Sequence, residues 1–164
     1  WTFYNASGQK LSSVATPGLR QSVFTQTGAV ATGTTQIPAD DTIPQNGEGT
    51  EFMTLAITPK NTANRLLIMV NINYASIASL VVTTALFQDT TAGALKAAAS
   101  HHADANRIKT VSFLHEMAAG TTSSTTFKVR IGGTGASTIS LNGESGARIL
   151  GGVLFSSITI LEVT

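Results

Sequence analysis

The chain has 164 residues (17.0 kDa), a net charge of +1, and only 12% charged residues, about half the roughly 25% usual in soluble domains. With no basic cluster, neither nucleic acid nor an anionic membrane surface is favoured as a partner. With no cysteine there is no disulfide framework, no thiolate nucleophile and no Cys-ligated zinc. No apolar stretch reaches the roughly 18 residues of a membrane span, and the polar start is not that of a signal peptide. Ser and Thr, roughly a quarter of the residues, keep the surface wet without charging it. Starting at Trp1, the chain reads as a piece of something longer and long enough for one two-sheet core.

In chain order, residues 1–20 read as a lead-in, with turn clusters at Asn5-Ala6-Ser7-Gly8 and Pro17-Gly18. A domain over 21–164 follows. Ser22 to Gly28 is a first strand of imperfect alternation and Thr34 to Pro38 a short second one. Asp40 to Thr50 is a loop rich in Pro, Gly and acid. Glu51 to Ile57 alternates as a strand and stops at Thr58-Pro59. Arg65 to Ala75 is the strongest interior strand, with Leu66, Ile68, Val70, Ile72 and Tyr74 on one face. Its near-continuous apolar start implies burial on both faces, as in a sandwich centre or a subunit interface. Leu80 to Gln88 follows. Ala94 to Ala99 is open between strand and a helix too short to stand alone. Ile108 to Met117 and Thr125 to Gly132 read as paired strands around the loop 118–124, and the chain closes on the apolar run Leu150 to Val163. The expected class is all-β, an antiparallel jelly-roll-like β-sandwich.

Several segments together resemble the C-terminal head domains of bacteriophage tail spikes and tail fibres. They are Asp40-Asp41-Thr42-Ile43-Pro44-Gln45 with Gly47-Glu48-Gly49, Leu55-Ala56-Ile57-Thr58-Pro59-Lys60, and Arg65-Leu66-Leu67-Ile68. Ala85-Leu86-Phe87-Gln88-Asp89, Thr126-Phe127-Lys128-Val129-Arg130 and Ser157-Ile158-Thr159-Ile160-Leu161-Glu162 complete the set. Residues 1–9 resemble the segment that precedes such heads. The resemblance implies a virion location and a homotrimer that caps a shaft. It also implies contact with host cell-surface polysaccharide or lipopolysaccharide. Composition agrees independently with a trimer: so few charges, with a mean hydropathy of +0.19, leave more apolar surface than one small sandwich readily hides.

Candidate chemistry is sparse. His101-His102-Ala103-Asp104, with His115, is the one cluster of metal-ligand types, but neighbours on a strand point to opposite faces and chelate poorly together. His102, Asp104, Asn106 and Arg107 offer the mixed donors and acceptors that sugar hydroxyls need, against the plainer reading of a solvated loop. Asp40, Asp41, Glu48 and Glu51 suggest a glycosidase pair or an oxygen-ligated cation, against a turn in which Asp caps backbone N–H groups. Gly143-Glu144-Ser145-Gly146 lacks the nucleophile-elbow spacing, and Gly132-Gly133-Thr134-Gly135 reads as a hairpin turn rather than a dinucleotide loop. Trp1, Phe3 and Tyr4 read as plugging the base of a trimer or packing against a preceding shaft, rather than as a sugar platform.

The expectation is therefore a non-enzymatic tail-spike or tail-fibre head acting in trimer assembly and carbohydrate recognition. It carries no cofactor or metal, does not bind nucleic acid and does not insert in a membrane. A secreted bacterial lectin or adhesin module, or an accessory domain of a polysaccharide depolymerase, is the alternative.

Overall fold

A computed structural model describes residues 18–164. Of the expected lead-in, Leu19 and Arg20 already belong to a strand; Trp1, Phe3, Tyr4, Asn5 and the rest of 1–17 lie outside the described residues. In chain order the strands are β1 (Leu19–Thr27), β2 (Ala31–Gly33), β3 (Thr50–Ile57), β4 (Arg65–Ser76), β5 (Leu80–Gln88) and β6 (Lys96–His102). They continue as β7 (Lys109–Ala118), β8 (Thr125–Gly133), β9 (Ile139–Leu141), β10 (Gly143–Glu144), β11 (Ala147–Arg148) and β12 (Ser156–Val163). The fold is an antiparallel all-β sandwich, as the alternating pattern requires.

One sheet is six-stranded: β1, β12, β4, β9 and β2 lie in that order, and β7 pairs the free side of β4. The other is four-stranded, in the order β3-β8-β5-β6. Period-2 alternation turns Leu66, Ile68, Val70, Ile72 and Tyr74 of β4 inward, with Ile158 and Ile160 of β12 beside them. They meet Val82 and Leu86 of β5 and Phe127, Val129 and Ile131 of β8, all buried.

One expected pairing and one expected strand are corrected. β7 and β8 are consecutive but not a hairpin: β7 pairs β4 in one sheet and β8 pairs β3 and β5 in the other. Alternation fixes which side chains point inward and is silent on the partner strand, so the crossover through 119–124 was not legible. Residues 34–38 form no strand; they run across the outer side of the four-stranded sheet, where Ile37 N–H donates to the Gly133 carbonyl at 3.1 Å. There Ile37 buries Ala85 and Phe87 in a small second core. Gly132 permits this close approach, since a Cβ at that position would lie 2.6 Å from the Ile37 nitrogen. Segment 96–102 is a strand, its alanines stabilised by the ladder to β5 rather than by helix propensity. Gly132 and Gly133 lie within β8, and the turn starts after them.

The apolar run at the chain end divides. Its second half is β12; its first half is a 3₁₀ turn (Leu150–Gly152) followed by Val153 and Phe155, which are exposed. A buried polar knot anchors the start of β12. Asn142, at φ +53, donates from Nδ2 to the carbonyls of Thr27 (2.8 Å) and Ala29 (3.1 Å), and its Oδ1 accepts from Ser156 Oγ at 2.7 Å. Ser156 Oγ in turn accepts from Asn73 N–H at 2.9 Å. Asn tolerates the left-handed region better than most residues, and its amide supplies the partners that the backbone between β1 and β2 lacks.

Candidate functional site

Of the residues singled out for sugar contact, His102 is set apart from the other three. His102 ends β6 with its ring inward and fully buried, tilted over Tyr74 with ring centroids 5.2 Å apart. It cannot touch a solvent-borne sugar. Asp104, Asn106 and Arg107 are exposed on the following loop. Asn106 is a turn residue at φ +56; its N–H donates to the Ser76 carbonyl and its Oδ1 accepts from Ser145 Oγ at 2.8 Å. Ser145 sits at the β10–β11 turn with φ +48. His101 points outward beside the inward His102, as strand geometry demands. Among the described residues no three His, Asp or Glu side chains gather as metal ligands would.

The acids of the 40–51 segment serve separate local ends. Asp40 Oδ1 accepts from Thr42 N–H at 3.0 Å and from Thr42 Oγ1 at 2.5 Å, and those bonds hold its carboxyl below the ordinary range. Glu48 accepts from Gln45 N–H at 2.8 Å, and Glu51 pairs with Arg130 at 3.3 Å. The arrangement is a capped turn.

Among the described residues, one sheet face is left unpartnered. The four-stranded sheet has its outer side covered by Ile37; among the described residues nothing covers the six-stranded sheet in the same way. The cross-strand register sets Phe24 of β1, Thr159 of β12, Met69 of β4 and Leu114 of β7 in one transverse row. Phe24 is 67% exposed, Leu114 52% and Met69 40%. One row over lie Ser22, Leu161, Leu67 and Glu116; on the other side lie Gln26, Ser157, Asn71 and Ser112. The one charge in these three rows, Glu116, is neutralised by Arg65 at 2.8 Å. Between Met69 and Leu114 runs a shallow groove of about 330 Å³, floored by Asn71, Ser112 and Thr159. Apolar residues on both parities of β4 gave the sequence signal for this face. Phe24 carried none beyond its own hydrophobicity, since β1 alternates imperfectly.

A second site that residue types alone did not disclose is Glu162. It takes the inward parity of β12 after Ser156, Ile158 and Ile160 and is fully buried. Its carboxylate accepts from Gln21 Nε2 (2.6 Å), Lys60 N–H (2.8 Å), Asn61 N–H (3.2 Å) and Asn64 Nδ2 (2.5 Å). Burial opposes its ionisation, but these donors together outweigh burial and hold its pKa below the ordinary 4.5. This is a structural clamp: every donor belongs to the segments it fastens.

Among solved structures the chain is similar to that of infectious bursal disease virus Gx strain, with a TM-score of 0.42 and 10% identity over 99% of this chain and 44% of that one. It is similar also to the T13 particle of that virus (0.40, 11%, 88% and 38%) and to its VP2 subviral particle (0.34, 11%, 94% and 41%). The chain thus spans less than half the length of each. No curated protein matches it. The family model described as Pgp3 C-terminal domain matches residues 34–164. That match overturns the relation to phage tail spikes and fibres, and with it the virion location and the role as a phage host-attachment head. The segments that carried the earlier resemblance are strand and turn sequences such as Leu55–Lys60 and Ser157–Glu162, whose strand residues lie in antiparallel ladders with β8 and β4. With four-fifths of its residues so matched, the chain belongs to the Pgp3 C-terminal domain family.

Proposed function

We propose that this domain is a non-enzymatic assembly module that closes as a homotrimer through the outer face of its six-stranded sheet. The observation that carries this reading is the row Phe24–Thr159–Met69–Leu114, an uncharged, partly apolar strip four strands wide that none of the described residues covers. At about 25 cal/mol per Å², burying even some hundreds of Å² of it per copy stabilises an assembly. A specific interface covers about 800 Å² per partner, within reach of a face this wide.

The row is unlike at its two ends, which supports a ring rather than a two-fold pair. Phe24 projects from the edge strand β1, while the groove lies two strands further across, at β4 and β7. A knob meeting a groove elsewhere on the next copy is a heterologous contact; it closes into a ring, and three is the smallest. The test is the mass in solution by light scattering. A value near three times 17.0 kDa supports the reading, and a monomer at micromolar concentration rejects it. Release of reducing sugar or acyl groups by the purified chain from a polysaccharide panel would overturn the non-enzymatic part.

A further inference from the structure

Four buried side-chain polar atoms have no hydrogen-bond partner among the described residues: Tyr74 Oη, Thr84 Oγ1, and both ring nitrogens of His102. Tyr74 and His102 are in ring contact across the two sheets, and Thr84 faces the same interior from β5. An unsatisfied buried polar atom is destabilising and calls for a reason. The cluster borders one seam of the sandwich. β6 pairs only with β5 and β7 only with β4, so they are edge strands of opposite sheets with no ladder between them. His102 is the last residue of β6, where Ser79 Oγ donates to its carbonyl at 2.8 Å.

We propose that His102 is a proton-operated latch: neutral, it closes the core over Tyr74; protonated, it leaves with the end of β6 and the loop 103–108, opening the seam between β6 and β7. A neutral imidazole in this place makes no well-formed hydrogen bond through either ring nitrogen, whereas an imidazolium there is a buried charge with no counter-charge beside it. The charged and titratable groups around it favour expulsion. Lys109 on β7 and His101 beside it on β6 oppose a positive ring, and Tyr74 from β4 is itself held neutral by burial. β5 presents Thr84, which carries no charge. Only the Asp104 backbone favours the charged form, and its carboxylate lies in the exposed loop, outside the core. Burial is the largest influence on the ring, Lys109 the next, and together they push its pKa below 6.5.

The sign follows from proton counting. Below about pH 6.5 the unfolded chain binds a proton that the closed sandwich refuses, so closure weakens as pH falls until the folded ring titrates in turn. His115, half-buried on β7 and pushed down by burial and Lys96, titrates in the same direction and must be separated from it.

The experiment is urea unfolding of the full chain at pH 7.5 and 5.5, paired with amide hydrogen exchange at both, corrected for intrinsic rates. The unfolding equilibrium constant should rise up to about tenfold on acidification, one pH unit of unmatched protonation below 6.5. His102→Phe, which keeps an aromatic ring over Tyr74, should remove most of that rise; His115→Gln should keep it. Exchange protection should fall first at 97–108 and stay in β12. Equal acid sensitivity in wild type and His102→Phe, or loss of protection beginning in β1 and β12, overturns the latch. If His102→Phe does not fold, an NMR titration of the wild type decides: a folded-state His102 pKa at or above 6.5 overturns it, and a value below supports it.

Discussion

Asn64 Nδ2 donates to the Glu162 carboxylate at 2.5 Å, tying the loop that enters β4 to the next-to-last residue of β12. Lys60 and Asn61 add backbone N–H groups and Gln21 an amide from β1. Three segments distant in sequence thus converge on one carboxylate. Replacing it by Glu162→Gln removes the charge and sets an amide NH2 against donors. The expected loss is about 2–3 kcal/mol, the range of charge-assisted bonds, read as a lower urea midpoint at unchanged m-value. An unchanged midpoint would show the clamp to be dispensable.

The same carboxylate sets an acid limit. Its folded pKa lies below the ordinary 4.5, so its contribution is fully present above pH 4.5 and is lost as pH falls through the folded value. Thermal stability should decline steeply below pH 4.5 in the wild type. Glu162→Gln should start lower and decline less. Parallel curves for the two proteins would contradict the assignment.

Asn142 is the second fastening point, between the β1–β2 bend and the start of β12. Asn142→Ala deletes the bonds to Thr27, Ala29 and Ser156 and keeps a left-handed residue that alanine tolerates poorly. The expected cost is about 2–4 kcal/mol. Asn142→Gly relieves the backbone but not the lost bonds and should fall between Ala and wild type. A Gly variant no more stable than Ala would rule out backbone strain at this position.

The fold class was legible because β4, β5, β8 and β12 each alternate or run apolar over a strand length, and Thr58-Pro59 and Asp40–Thr50 punctuate them. Strand partners were not, because Phe113 of β7 and Phe127 of β8 obey the same inward parity whichever sheet they join. His102 was misplaced by chemistry: its residue type suggests a surface, and only the register opposite Leu80 turns it inward. Glu162 was visible as a break in an apolar run, but its donors come from Gln21, Lys60, Asn61 and Asn64, which no local pattern connects. The face of the six-stranded sheet was half legible. Leu67 and Met69 advertised it on β4, while its breadth depends on Phe24 and Leu114, brought into line by pairing alone.

For that face, Leu114→Glu places a charge on a side chain already half exposed, so the single copy should keep its fold with a stability change of no more than about 0.5 kcal/mol. Across a closed ring it repeats at every contact and is desolvated each time, which should abolish assembly. Circular dichroism reports the fold and sedimentation the assembly. Glu substituted at exposed Ile43, on the opposite side of the sandwich, should leave both unchanged. Dissociation by the Ile43 variant and not by Leu114→Glu would move the interface elsewhere.

The most direct test of the central claim is light scattering on the purified wild-type chain and Leu114→Glu, side by side at micromolar concentration. The account predicts three times 17.0 kDa for the first and 17.0 kDa for a still-folded second. A folded wild-type monomer, or a variant that stays trimeric, contradicts it.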